Sequence, residues 1–464
     1  MPGKGNYEVR VMKRDNKYVS TTNACKLCKP LGACLAFKGI EGAVPFLHGS
    51  QGCATYMRRY IISHFNEPMD IASSALGEKH AVYGGAANLK QGISNVCKKF
   101  QPTMIGIATT CLTETIGDDV PLILREYKGD APAQNDASPC LVNVSTPSYA
   151  GSHMEGFNEA IRAVVDQLAK GGDRLDFINL FPGFVSPADI RYLYEIVSDF
   201  GLKCTILPDF SNTLDGPAMR EYEKIPHGGA PVSAIKKMGR ALGSIEFGRN
   251  LRAVVTAGNT LESKFGVVNR QIGTPIGIRE TDAFLQVLED ISGRPTPKKY
   301  LMERGRLVDS FVDTHKYVFG KRAVIYGEED LVTGITSFLT EIGIQPALCS
   351  SGGKSGAFEP AIKEVTADIL SEDPIIRDDA DFYDIAGEAE SIGPDIMIGN
   401  SKGYSLARKL GIPLIRVGFP IHDRIGGQRI LHLGYRGAQN LLDTIVNALI
   451  QKKQDDSYVG YSYM

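Results

Sequence analysis

Short apolar runs rich in β-branched residues recur along this chain, and they lack the polar alternation of a strand with one wet face. Such runs suit parallel strands covered on both sides, and this restricts the fold more than any other feature. The expected strands are MIGIAT at 104–109, 141–145, FINLF at 177–181, 204–207, 253–257, RAVIYG at 322–327, 345–349, DIMIGN at 395–400 and PLIRVG at 413–418. Between them, 152–169, 187–200, 329–342 and 437–450 carry apolar residues three and four apart, the period of a helix with one buried stripe. Strand, helix and strand in repetition mean parallel α/β units joined by right-handed crossovers.

The pattern restarts at least three times in 464 residues, a length that exceeds one compact core. We expect an α/β fold of three Rossmann-like parallel domains over 1–172, 173–300 and 301–464. KGGD at 170–173 and ISGRPTPKK at 291–299 are the linker candidates, and 209–231, rich in Gly, Pro, Asn and Asp, reads as an irregular excursion. The polar end from 451 to 464 has no period and reads as a frayed tail or a strap onto a partner. A net charge of −2 offers no bulk attraction to nucleic acid or to an anionic membrane. The first twenty residues hold no apolar core of a secretory signal, and no stretch approaches the roughly 18 apolar residues of a membrane span. Cytoplasmic residence is expected.

Nine cysteines in such a chain are not a disulfide framework. Small buried hydrophobe is the commonest fate of a free cysteine, and it is the expected role of Cys25, Cys34, Cys97, Cys140, Cys204 and Cys349. Three others sit in turns marked by glycine or proline: Cys28 in CKPLGA, Cys53 in HGSQGC and Cys111 in ATTCLTETIGDD. Glycine lets backbone approach inorganic sulfur, and free N–H groups there can bond to it. Cys111 follows the strand at 104–109, at the carboxyl end where open α/β sheets place their ligands. On residue type alone, the three either share a metal site or are separate structural thiols. Zinc fits poorly, because its sites pair cysteines two to four apart and Cys25 with Cys28 is the one such pair. His153, His315, His422 and His432 show no metal-binding spacing, and His48 reads equally as a bond donor near the thiols or as a satisfied structural histidine. No GxxxxGK[ST] run occurs, so any ATP hydrolysis would belong to another protein. The GEED run at 327–330 reads as a helix start with acidic residues in its first turn.

CKPLGA, HGSQGC and ATTCLTETIGDD, in that order and spacing, resemble the β subunit of the nitrogenase component 1 family. The resemblance continues through TPSYAGSH at 146–153, ERGRLVD at 303–309, GKRAVIYG at 320–327, MIGNSKG at 397–403 and PLIRVGFPIHDR at 413–424, and so covers nearly the whole chain. It implies the nitrogenase component 1 fold. It also implies that Cys28, Cys53 and Cys111 hold half of an [8Fe-7S] P-cluster, with a homologous α-type subunit supplying the other thiolates. By the same resemblance Ser148 ligates the oxidised cluster, Tyr56 lies on the electron path towards the substrate cluster, and Tyr83 stands at the docking face for an ATP-dependent reductase, the Fe protein. The implied assembly is an α2β2 heterotetramer whose catalytic cofactor lies in the α chain. Its reaction is the reduction of dinitrogen or of another small substrate such as a methylthio-alkane.

The chain departs from the pattern in three places. Its N-terminal segment is shorter than the extension of the molybdenum enzyme's β subunit, TPIGIRETD at 274–282 is nearer the vanadium- and iron-only β subunits, and Tyr83 stands where phenylalanine is usual. None removes a cluster ligand, but together they leave the substrate open. The alternative is a cofactor-maturation scaffold of the same fold with a [4Fe-4S] cluster at the interface. Scaffold chains often replace the first and third cysteines, and both are retained here. A non-enzymatic α/β binding protein is a third reading, against which the ordered motifs argue.

Overall fold

The computed structural model describes residues 26–130, 138–218, 221, 223–367, 369–370 and 372–459. Among them, three separate sheets form, and every strand pairing is parallel. The first sheet contains β1 (Ala43–His48), β2 (Ala72–Ser73), β3 (Met104–Thr109) and β4 (Cys140–Val144), in the order β2-β1-β3-β4. The second contains β5 (Ile178–Phe181), β6 (Cys204–Ile206), β7 (Ser244–Phe247) and β8 (Asn269–Ile272), in the order β6-β5-β7-β8. The third contains β9 (Arg322–Gly327), β10 (Gln345–Ser351), β11 (Ile375–Arg377), β12 (Ile396–Gly399) and β13 (Leu414–Arg416), in the order β11-β10-β9-β12-β13. No helix among the described residues is long and apolar enough to cross a membrane.

The runs at 104–109 and 322–327 form strands with those bounds, and both are covered on their two faces. The run at 253–257 does not form a strand. Thr256 caps the helix Ala257–Phe265 by accepting from the Asn259 N–H, and Val254 and Val255 point to the surface. Capping chemistry outweighs the β-branched pair there. The polar end also differs from expectation: the helix that begins at Gly434 runs on to Asp455, and 460–464 lie outside the described residues. Cys25 and the first twenty residues likewise lie outside them. The acidic run at 327–330 does start the helix Glu329–Glu341. Burial rather than the helix field governs its charges, pushing the Glu329 carboxyl up to about 7 despite hydrogen bonds from Ser355.

Two helices brace the first sheet. All ten residues of the helix Lys29–Lys38 are buried, and it crosses the helix His153–Leu168 at backbone contact. A Cβ on Gly32 would lie 1.7 Å from the His153 carbonyl oxygen, and one on Gly156 would lie 1.9 Å from that of Lys29. Only glycine allows this approach. The second helix starts with the S-x-x-E signature, Ser152 capping and Glu155 reaching back to the Ser152 N–H. Where the three sheets meet, Phe419 stacks on Phe65 at 6.1 Å and meets Phe184 edge-on at 5.5 Å. Buried Asp189 ties the second sheet's region to the third by accepting from the backbone N–H groups of His432 and Leu433.

Candidate metal centre

In the first sheet the chain runs outward in one direction from β1 to β2 and in the other from β3 to β4, so the strand order reverses between β1 and β3. Parallel sheets open a crevice at such a reversal, beyond the carboxyl ends of the strands. His48 at the end of β1 is level with Thr109 at the end of β3, so the loops that follow emerge side by side. One carries Cys53 and the other carries Cys111.

All three turn cysteines stand at helix starts. Cys28 is the N-cap of Lys29–Lys38, Cys53 lies in the first turn of Gln51–Phe65, and Cys111 is the first residue of Cys111–Ile116. Backbone N–H groups without helical partners are available beside a side chain at such positions. Pro30 falls in the first turn of its helix, where a missing N–H costs nothing. All three thiols are free and partly exposed.

The rest of the chain draws these loops together. Cys28 pairs with Ser152 in an antiparallel bridge, reinforced by a bond from the His153 N–H to the Leu27 carbonyl. The turn at 146–148 is fastened to the end of β3, with the Thr146 N–H donating to the Thr109 hydroxyl at 2.8 Å and the Thr146 hydroxyl to the Thr109 carbonyl at 2.7 Å. From this turn the Ser148 N–H donates to the Cys111 sulfur at 3.2 Å. The Ser50 hydroxyl donates to the Cys53 sulfur at 3.5 Å. Sulfurs that already receive hydrogen bonds from fixed donors are suited to hold negative charge.

One turn beyond Cys53, Tyr56 is 44% exposed and its ring lies 4.8 Å from that of Tyr60. Burial, then a bond to Tyr60 and the charges of Tyr60 and Cys28, hold the Tyr56 phenol well above its ordinary value. Tyr83 is elsewhere, 86% exposed at the end of the short helix His80–Tyr83.

Cys34, Cys204 and Cys349 differ. Burial alone lifts the Cys34 thiol far above its usual range, burial and Asp209 push Cys204 up to about 12, and burial pushes Cys349 up to about 12. Thiols of that kind are inert packing groups. His48 is fully buried with both ring nitrogens bonded, Nδ1 to the Ser74 hydroxyl at 2.9 Å and Nε2 to the Asp118 carboxylate at 3.0 Å. It is a satisfied histidine whose ring bonds are to Ser74 and Asp118. Among the described residues no three His, Cys, Asp or Glu side chains converge on one metal ion. Cys28, Cys53 and Cys111 thus stand on three separate helix starts rather than converging on one ion.

The sequence carried no sign of several neighbours that shape this site. Ser50 and Asp118 lie inside the quoted motifs without a period to mark them, and Lys402, whose ammonium is 5.3 Å from the Tyr60 ring centre, is remote in sequence.

A family model for nitrogenase component 1 type oxidoreductases matches residues 28–450. The nitrogenase molybdenum-iron protein beta chain of Methanothermobacter thermautotrophicus is 37% identical over 453 residues, covering 96% of this chain and 97% of that one. The beta chain from Clostridium pasteurianum is 34% identical, with 93% of each chain covered. The nitrogenase iron-molybdenum cofactor biosynthesis protein NifN of Bradyrhizobium diazoefficiens is also 34% identical, over 94% of this chain and 90% of that one. Among solved structures, a chain of nitrogenase Cp1 at pH 6.5 superposes with a TM-score of 0.92 at 32% identity, covering 97% of both chains.

Proposed function

We propose that this chain, which belongs to the nitrogenase component 1 type oxidoreductase family as a β-type subunit, holds half of an [8Fe-7S] P-cluster through Cys28, Cys53 and Cys111. The observation that carries this reading is the placement of three free, partly exposed thiols at helix starts on segments tied to the carboxyl end of the first sheet. Three thiolates anchor half of such a group, and a homologous α-type subunit brings the other half across the interface in an α2β2 assembly. When bound, the cluster stores and passes electrons.

The chain's own residues orient and tune. The Ser50 hydroxyl and the Ser148 N–H donate to the sulfurs of Cys53 and Cys111 and so orient them. The Ser148 backbone is fixed against Cys111, and the family resemblance assigns its hydroxyl as an additional ligand to the oxidised cluster. By the family resemblance, half-exposed Tyr56 is assigned to the electron path towards the substrate cluster and exposed Tyr83 to the docking face for an ATP-dependent Fe protein. The reaction served is the reduction of dinitrogen or of another small substrate such as a methylthio-alkane, carried out in the partner chain.

Similarity to NifN supports a second reading, a cofactor-maturation scaffold with a [4Fe-4S] cluster at the interface. Retention of all three cysteines supports the reductase. The two separate by iron per dimer and EPR before and after dye oxidation, measured on the complex purified anaerobically. About eight irons that oxidise by two electrons support the P-cluster. About four irons with a one-electron signal identify the scaffold and remove Ser148 as a ligand.

A further inference from the structure

The turn that presents Tyr83 is held by a buried polar hub. The Gly85 N–H donates to both oxygens of Asp118, at 3.1 and 3.0 Å. The Asp118 carboxylate also meets His48 Nε2 at 3.0 Å, and His48 Nδ1 meets the Ser74 hydroxyl at 2.9 Å. That hydroxyl accepts the Gly49 N–H at 2.9 Å. On its other side, the His48 carbonyl accepts the Thr110 N–H at 3.1 Å and the Thr113 hydroxyl at 2.9 Å. His48 thus touches three things at once: the Tyr83 turn through Asp118, the loop leading to Cys53, and the start of the Cys111 helix.

The hub has no slack. A Cβ on Gly85 would lie 2.7 Å from Asp118 Oδ2 and 2.8 Å from His48 Cε1, and one on Gly49 would lie 2.1 Å from the Thr110 hydroxyl. The His48 side chain is fully buried and that of Asp118 is 8% exposed. Close-packed groups pass a displacement on rather than absorb it. Burial holds the His48 imidazole in its neutral form, so the ring links Asp118 to Ser74 through directed hydrogen bonds rather than through charge.

We propose that His48 and Asp118 are positioning residues that transmit docking at Tyr83 to the loops bearing Cys53 and Cys111. The inference rests on the reading of Tyr83 as the docking aromatic. A push on the Tyr83–Gly85 turn moves the Asp118 carboxylate with the Gly85 N–H. The His48 ring follows, and its carbonyl shifts the first turn of the Cys111 helix while Ser74 carries the movement to Gly49.

The test is hydrogen exchange on the assembled complex, alone and with its ATP-dependent reductase trapped by a non-hydrolysable ATP analogue. Segments 49–56 and 110–116 report the two loops, and 80–85 reports docking itself. In the wild type, docking is expected to change exchange in both loops by about fivefold or more. Asp118→Asn keeps the shape but turns one acceptor into a donor. Its complex is expected to keep its iron and to protect 80–85 on docking, while the response of both loops is lost. A wild-type-sized loop response in D118N overturns the proposal, as does a wild-type complex whose loops do not respond. If D118N does not assemble, Ser74→Ala leaves the charges in place, and its expected result is loss of the response at 49–56 with that at 110–116 retained. An unchanged response at both loops in S74A overturns the proposal. Failure of docking to protect 80–85 in the wild type, or absence of iron from it, instead strikes the function proposed above.

Discussion

Replacing Gly156 with alanine places a methyl group where two helices touch backbone to backbone. That Cβ would sit 1.9 Å from the Lys29 carbonyl oxygen and 2.8 Å from its carbon. Restoring an ordinary contact of about 3.5 Å requires the helices to part by roughly 1.6 Å. Overpacking against backbone, which cannot change rotamer, belongs at the upper end of the usual range, about 3 kcal/mol. Alanine recovers about 1 kcal/mol over glycine in a helix interior, leaving a net loss of about 2 kcal/mol. Because Cys28 caps the helix that must retreat, the same movement displaces its sulfur. Urea denaturation followed by circular dichroism, with iron per dimer measured on the same preparations, checks both effects. The control is Gly305→Ala, on an exposed helix face with nothing within 4 Å, where stability should be unchanged or slightly raised. A G156A complex with wild-type stability and full iron would refute the reasoning.

Other variants probe the site and its surroundings. Cys28→Ala, Cys53→Ala and Cys111→Ala should each abolish the shared cluster or leave a fragment, read as iron content; wild-type iron in all three would sink the ligand assignment. Tyr83→Ala should weaken reductase binding by about thirtyfold, the effect of a loss near 2 kcal/mol at an aromatic anchor, with iron unchanged. An affinity within about twofold of wild type in a binding titration would count against docking there. Burial opposes ionisation of Asp423, but bonds from Arg416 and Ser401 and the charges of Arg416 and Arg424 outweigh it and hold the carboxyl at about 2, below its ordinary 3.8. A depressed carboxyl contributes stability that is complete above its unfolded value and lost as pH falls through its folded one. Roughly 2 kcal/mol should therefore disappear between about pH 4 and pH 2. Acid denaturation of Asp423→Asn should show a correspondingly shallower decline, and an unchanged slope would discount the pair.

Legibility in the sequence followed burial and local chemistry. MIGIAT and RAVIYG are readable because both faces of those strands are covered, and the helix after Ser152 because its cap is written in neighbouring residues. β7 was not readable, since SIEF hides a carboxylate among strand residues. Glu246 is tolerated there because Thr256 and Asn269 bond to it. β8, NRQI, is a polar edge strand, and β1 carries Pro45, whose position has no neighbour on the β2 side because β2 pairs with Phe46 and Leu47 alone. The three cysteine turns were readable from glycine and proline. Ser148, Tyr56 and Tyr83 came only through family resemblance, since nothing in their own spacing marks them. Asp118 escaped because His48 and Gly85, its partners, are distant along the chain.

The helix that Cys28 caps is held at its far end by chain made much later. The Gly39 carbonyl accepts the N–H groups of Asp209 and Ala230, Glu41 donates to the Ala230 carbonyl, and the Thr213 hydroxyl bonds the Lys38 carbonyl. On the ribosome, Cys28, Cys53 and Cys111 emerge before any of these braces exists. A nascent chain that stops short of residue 209 has its three thiols but not the frame that aims the first of them. Iron and sulfur therefore have a complete half-site to enter only once residues up to 230 have folded against the first sheet, which places cluster loading no earlier than the second half of synthesis.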